Sequence, residues 1–415
     1  MFFSPGSLLG YLAVVNLILA VDGDILTSYP GQSQWYPGTS KLDSCERNCS
    51  LPACFCGRGI PGGLTQHQTP QFVLLSFDDA VNDLNRDFYN RLFGIKRVNP
   101  NGCPIAATFF VSHEWTDYSQ VHHLYSAGHE ISSHSVTHSH PSGRGPSQWG
   151  LEIGGQAELL SRHALVEPSH ITGVRAPFLE TGGDPLFRAI TNMGFQYDSS
   201  LPSRYQSPAL WPYTAHQGAR QSCSIPPCPS QSHPEVWELP MTMMTDGLGG
   251  QCAMLDACRY EETEDSIQRM LTRNFVRNGS VTLQLLLEFF HFKLKFLLFP
   301  QEKKTELFPP RHYTDSTKPP FPMAYHAAWF RARKHREKAF FKFIDSLLEF
   351  PDVFFVTSQQ LLRWISNPVP LTDVLSNRDC DVNSRKVQNC QRKACSYGGR
   401  MFVTCSVCPE KYPWI

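Results

Sequence analysis

The 415-residue chain has no excess charge of either sign, with 37 lysines and arginines against 37 aspartates and glutamates. A balanced surface has no electrostatic grip on a phosphate backbone or an acidic bilayer, so no nucleic acid is expected as a partner. No phosphate-binding glycine fingerprint follows the first apolar strand, which argues against a nucleotide-binding fold. A clean apolar run of membrane-spanning length is missing too. The run from Leu8 to Val21 is short, and the longer one from Val281 to Phe299 holds Lys293 and Lys295 near its centre, where charge is costly in lipid. No stable membrane span is expected.

Cysteine is plentiful. The early apolar run, with small residues at Ala20 and Gly23, reads as a secretory signal over residues 1–22, although no Lys or Arg precedes it. Export places the fourteen cysteines in an oxidising compartment, where they pair. Five lie early (Cys45 to Cys103), four in the middle (Cys223, Cys228, Cys252, Cys258) and five late (Cys380 to Cys408). If the middle four pair as Cys223 with Cys228 and Cys252 with Cys258, two odd groups remain. At least one bridge must then join the N-terminal region to the C-terminal tail. Thiolate zinc sites at Cys54/Cys56 and Cys405/Cys408 are the weaker alternative.

The cysteine-bearing stretch 40–68 is rich in Gly and Pro and reads as irregular. From residue 70 to 367 short apolar runs alternate with helical patterns. The expected strands are Phe72–Phe77, Ile105–Val111, His129–Ser133, Ile171–Val174, Phe195–Tyr197, Val236–Leu239, Met323–Tyr325 and Val353–Val356. Expected helices are Trp115–Ala127, Glu152–Val166, Asp184–Met193 and Arg331–Glu349. This alternation specifies an α/β fold with a parallel sheet, closed or nearly closed as a β/α barrel, with an open doubly wound sheet as the alternative. Residues 279–311 break the pattern and read as an insertion of the kind a retained intron produces. Residues 379–410 form a cysteine-rich tail.

Residues just after the carboxyl ends of barrel strands converge on one face. Here those positions hold Asp78 and Asp79, His134 and His138, Arg175, Asp198 and His326. Histidines four apart can face one point, and with a carboxylate they make a site for a divalent ion. The string from His129-Glu130 to His134 is one residue too long for an HExxH zinc motif and points its histidines to different faces.

The ordered motifs SFDD, HSVTH, RAPF, YDSS and YHAAWF resemble those of family 4 carbohydrate esterases, the polysaccharide deacetylases, and most closely the animal chitin deacetylase-like group. The likeness covers residues 45–367 apart from the insertion. It extends to Cys54-Phe-Cys56, to Ile60-Pro-Gly-Gly-Leu64 and to Trp211-Pro-Tyr213. The resemblance implies a distorted (β/α) barrel with disulfide-rich extensions. It implies a metal triad of Asp79, His134 and His138, for Zn²⁺ or another divalent transition metal. Asp78 is then the general base, Arg175 its partner and His326 the general acid. Asp198 orients that histidine, and the backbone N–H of Phe178 holds the oxyanion.

The implied activity is deacetylation of N-acetylglucosamine residues in chitin or its oligosaccharides by a secreted, extracellular protein. A catalytically silent chitin- or matrix-binding protein on the same fold is the alternative, and an esterase or peptidoglycan deacetylase is a third reading. Departures from the family pattern are Ala80 for the usual glycine, Phe178 for tyrosine, and the lack of a six-cysteine chitin-binding module. The insertion, close before His326, could displace the general acid. Trp211 and Trp329 are offered either as sugar-stacking or as core residues.

Overall fold

The computed structural model describes residues 45, 49–94, 97–141, 143–204, 209–216, 222–277, 317–380 and 388–415. The chain divides into Met1–Asn48 and Cys49–Ile415, and the fold below is that of the second unit. The expected signal segment and the 279–311 insertion lie outside the described residues.

Strand β1 (Gln71–Asp78) is buried along nearly its whole length, as suits a parallel strand covered on both faces. Helix α1 (Asp83–Phe93) follows, capped by the Asn82 side chain, which accepts from the Leu84 N–H. Next come β2 (Thr108–Val111), α2 (Tyr118–Ser126, capped by Asp117) and β3 (Glu130–Ser133). They lead to α3 (Pro146–Ala164), β4 (Gly173–Val174) and α4 (Asp184–Met193). The sheet continues through β5 (Tyr197–Asp198), β6 (Tyr213–Ala215) and β7 (His233–Glu238). After α5 (Glu264–Arg277) come β8 (Phe321–His326), α6 (Ala328–Ala332) and α7 (Lys334–Leu347). The domain closes with β9 (Val353–Phe355), α8 (Ser358–Ser366) and α9 (Leu371–Ser376).

The sheet order is β8-β1-β2-β3-β4-β5-β7-β6, with β9 also on β1. All pairs are parallel except β6 with β7. The α/β fold with a central parallel sheet is therefore as expected. Closure is not: among the described residues β6 and β8 do not pair, so the sheet is not a closed barrel. Part of the distortion comes from β9, which pairs Gln71–Val73 on the same edge where Ser76–Asp78 pair Thr108–Phe110. That wedge lets β1 and β2 meet only toward their carboxyl ends.

Helices α1, α6 and α7 cover one face through an aromatic cluster. Phe88 stacks on Phe330 at 4.2 Å and lies near Phe77 and Phe340. The register brings Gly173 opposite Tyr197, and a Cβ on Gly173 would sit 2.0 Å from the Tyr197 ring. Only glycine permits that crossing.

Among the described residues no cysteine is free, which removes the thiolate-zinc alternative. Cys223 pairs with Cys228 and Cys252 with Cys258. Cys103–Cys380 is the long-range bridge that parity required. The tail is a hairpin of β10 (Lys393–Tyr397) and β11 (Arg400–Thr404), held by Cys390–Cys405 and Cys395–Cys408. Its Phe402 is buried against Tyr118 of α2 and His163 of α3.

Candidate active site

The register of a parallel sheet aligns its carboxyl ends, and here that alignment assembles the site. Asp78 lies opposite His326 on one side and Phe110 on the other. Ser133, the residue before His134, lies opposite Val174, the residue before Arg175. Val174 in turn faces Asp198, and Asp198 faces Glu238.

Asp79 turns out of β1 with φ 80 while its N–H donates to the Phe110 carbonyl. Its Oδ1 lies 3.7 Å from His134 Nε2 and 3.2 Å from His138 Nε2. The three ligand atoms fall within 4.8 Å of one another. The segment between the histidines is tightly wound, with positive φ at Ser135 (69) and His138 (48). Unfavourable backbone at four such positions, Phe178 (φ 59) included, marks a place where side-chain placement outweighs local comfort.

Protonation fits this donor set to a divalent cation. His134 Nδ1 is 2.8 Å from the Arg175 carbonyl. A carbonyl only accepts, so Nδ1 carries the proton and Nε2 presents its lone pair to Asp79. Burial also pushes the His134 pKa down, toward the neutral form a metal ligand needs. At Asp79 burial acts to raise the pKa, but the hydrogen bond from His138 and the charges of His134, His326 and His138 prevail and hold it at about 2.

Asp78 Oδ1 receives Arg175 Nη1 at 2.6 Å, both side chains being almost wholly buried. Arg175 is fixed on every side. Its Nε donates to the Ser199 carbonyl at 2.6 Å, Nη1 to Ser76 Oγ at 3.0 Å and Nη2 to Ser199 Oγ at 2.9 Å. Its Cζ sits 3.9 Å over the Phe110 ring. The Phe178 ring is 46% exposed and meets His138 edge-on at 4.8 Å.

His326 closes the site, its Nε2 3.7 Å from Asp79 Oδ2. Strand β8 keeps register with β1 through to Asp78, which carries His326 to the site. The carboxylate that orients it differs from the expected one. His326 Nδ1 donates to Asp256 Oδ2 at 2.7 Å, and that oxygen also receives the His326 N–H at 3.1 Å. Burial opposes charge on the imidazole, but the Asp256 bond and the charges of Asp256, Asp78 and Asp79 raise its pKa to about 9.

Asp198 instead serves the arginine segment. Its Oδ1 receives the Ser200 hydroxyl at 2.6 Å, and Ser200 Oγ receives the Ala176 N–H at 2.7 Å. Burial lifts the Asp198 pKa to about 6, and burial with the Asp198 charge raises Glu238 well above the ordinary range. The Asp198 carboxylate is engaged by the Ser200 N–H and hydroxyl, whereas the turn that carries Asp256 packs on β8 and reaches His326.

Two further residues escaped the sequence reading. Asp256 stands in a single 3₁₀ turn, Leu255–Ala257, framed by the Cys252–Cys258 bridge. Its signal was an acid inside a closely spaced cysteine pair. Glu152 on α3 holds the loop between the histidines: its carboxylate receives the Val136 and Thr137 N–H groups at 3.1 and 2.9 Å and pairs with Arg144 at 2.7 Å. Trp211 and Trp329 are both buried, so the core reading of each holds.

Residues 65–197 match the family model described as polysaccharide deacetylase. The chain is 32% identical to chitin deacetylase 1 of Bombyx mori over 88% of its length and 66% of that protein's. It is 33% identical to chitin deacetylase 8 of the same species, over 89% of this chain and 91% of the relative. Thus it spans slightly less than two thirds of one relative and nearly all of the other. The solved structure of a polysaccharide deacetylase from Mycobacterium smegmatis aligns with 74% of this chain and 93% of its own at 19% identity and a TM-score of 0.42. On the two silkworm relatives, this chain belongs to the polysaccharide deacetylase family, with the chitin deacetylases, hydrolases acting on carbon–nitrogen bonds.

Proposed function

We propose that the protein is a secreted, zinc-dependent deacetylase of N-acetylglucosamine residues in chitin or chitin oligosaccharides. The reading rests on one observation above the others: Asp78 and His326, partners across the β1–β8 ladder, flank the Asp79–His134–His138 donor set. This supports Asp78 as base and His326 as acid at a single reaction centre.

Asp79, His134 and His138 would hold the cation, which when bound would supply positive charge to polarise the amide carbonyl and to make a nearby water more acidic. Asp78 takes the proton from the attacking water, with the Arg175 guanidinium fixing the carboxylate. The oxygen of the acyl group gains negative charge as the new C–O bond forms. The Phe178 N–H donates to it, a contribution on the order of 3 kcal/mol. The C–N bond then breaks and His326 gives its Nε2 proton to the departing amine. The Nδ1 bond to Asp256 supports the charged imidazole before that transfer. Acetate and a glucosamine unit leave.

Secretion is supported by the fully bridged cysteines. No helix among the described residues is long and apolar enough to cross a membrane. The test is acetate release from a chitin oligosaccharide before chelation, after it, and after zinc return. Release that chelation stops and zinc restores is the expected result. A folded, zinc-loaded protein that releases nothing overturns the enzyme reading in favour of a binding protein.

A further inference from the structure

Strands β5 and β7 end side by side, and the last residue of each is an acid. Asp198 lies opposite Glu238 in the parallel register, and both are wholly buried. Register partners on neighbouring strands send their side chains to the same face of the sheet. Two ionised carboxylates would repel each other there, with no water to screen them. Arg175 is the cation near the pair, and it is already paired with Asp78 at 2.6 Å. On the other side of Glu238, β6 places Tyr213 in register, its hydroxyl 2.6 Å from Ser222 Oγ.

The two acids are not equivalent. Asp198 is well supplied with donors, Oδ2 receiving the Ser200 N–H at 3.0 Å and Oδ1 the Ser200 hydroxyl at 2.6 Å. Neither Glu238 oxygen completes a hydrogen bond from an N–H or O–H donor; the Leu201 N–H only lies near. The Asp198 carboxylate is within hydrogen-bond reach of it. A proton on Glu238 turns two facing acceptors into a donor and an acceptor, and it removes one buried negative charge. What this secures lies at the site. Ser200 Oγ, held by Asp198, receives the Ala176 N–H at 2.7 Å. The neighbouring Ser199 receives Arg175 Nε at its carbonyl and Nη2 at its hydroxyl. Ser199 Oγ donates onward, at 3.2 Å, to the carbonyl of Leu239, the residue after Glu238.

We propose that Glu238 is a positioning residue: it stays neutral, donates its carboxyl proton to Asp198, and so fixes the Arg175–Phe178 segment behind the candidate base. Its kinetic consequence rests on the deacetylase reading; its protonation does not. Burial and the Asp198 charge hold the folded pKa of Glu238 well above the ordinary range, while the unfolded value is about 4.3. Between those two values the folded state binds one proton more than the unfolded chain, so stability falls as pH rises. Urea unfolding of the metal-free full chain is therefore compared with that of Glu238→Gln, which has no such proton to lose. From about pH 6.5 to 8.5 the wild-type folding constant is expected to fall, relative to the variant's, by about tenfold per pH unit. Parallel pH dependence in the two proteins overturns the assignment. Acetate release gives the second test. Glu238→Leu, similar in bulk but without a donor, is expected to show a kcat about tenfold below that of Glu238→Gln, whose amide still donates, at equal zinc affinity. Equal kcat in those two variants overturns the positioning role. No acetate release from any form refutes the deacetylase reading, and the unfolding comparison then decides the state of Glu238 by itself, as it does if the leucine variant fails to fold.

Discussion

Glu152 is 1% exposed and touches no ligand atom, yet two of the residues it holds, Val136 and Thr137, lie between two of them. Its Oε2 receives the Val136 and Thr137 N–H groups, while Oε1 receives the Thr137 hydroxyl at 2.5 Å and pairs with Arg144 at 2.7 Å. Glu152→Ala strips three donors and a nearly buried guanidinium of their acceptor at once. Hydrogen bonds to a charged group are worth about 1.5–3 kcal/mol each, but they fail together, and water enters the space left behind. Breaking a buried pair costs about 3–5 kcal/mol, and that is the expected loss of folding stability in the metal-free protein. The loop that sets His138 against His134 then loses its anchor. An outer brace of this kind is worth about 10–100-fold in metal affinity. Glu152→Gln keeps the volume and one acceptor oxygen, so it separates the two effects. The assay is zinc competition against a fluorescent chelator, beside thermal melts with and without metal. Glu152→Gln with lowered melting temperature but wild-type zinc affinity refutes the claim that this carboxylate positions the ligands.

Asp256→Asn is expected to lower kcat by roughly 10²–10⁴-fold while zinc content and melting temperature stay near wild type; wild-type kcat would show that His326 needs no carboxylate. Acid should loosen the tail. Burial holds His113 and His163, both packed on Phe402, down to about 4. Their folded pKa lies below the unfolded value of about 6.5, so the folded state binds fewer protons. The stability they confer is complete above pH about 6.5 and drains away as pH falls toward about 4. Faster proteolysis between β10 and β11 over that window is the expected readout, and an unchanged rate in it refutes the assignment.

The strand-end residues were legible because parallel strands put chemistry at one edge, and Ser76–Asp79, His134, Arg175 and His326 all obey that rule. Asp198 obeys it too, and that is why it was misassigned. From β8 to β5 the order runs through β1, β2, β3 and β4. The Asp198 carboxylate is instead taken up locally, by the N–H and the hydroxyl of Ser200, and His326 is held by Asp256. Asp256 was invisible for the complementary reason. It belongs to no strand or regular helix, and its approach to His326 is a contact across 70 residues of sequence.

The same contact bears on how His326 is positioned. The β1–β8 ladder fixes its height through six register pairs from Val73–Phe321 to Asp78–His326. Asp256 Oδ2 then fixes both its backbone N–H and its Nδ1. One anchor is a strand-to-strand ladder and the other a turn framed by the bridge Cys252–Cys258, so His326 is fixed through both its backbone and its ring.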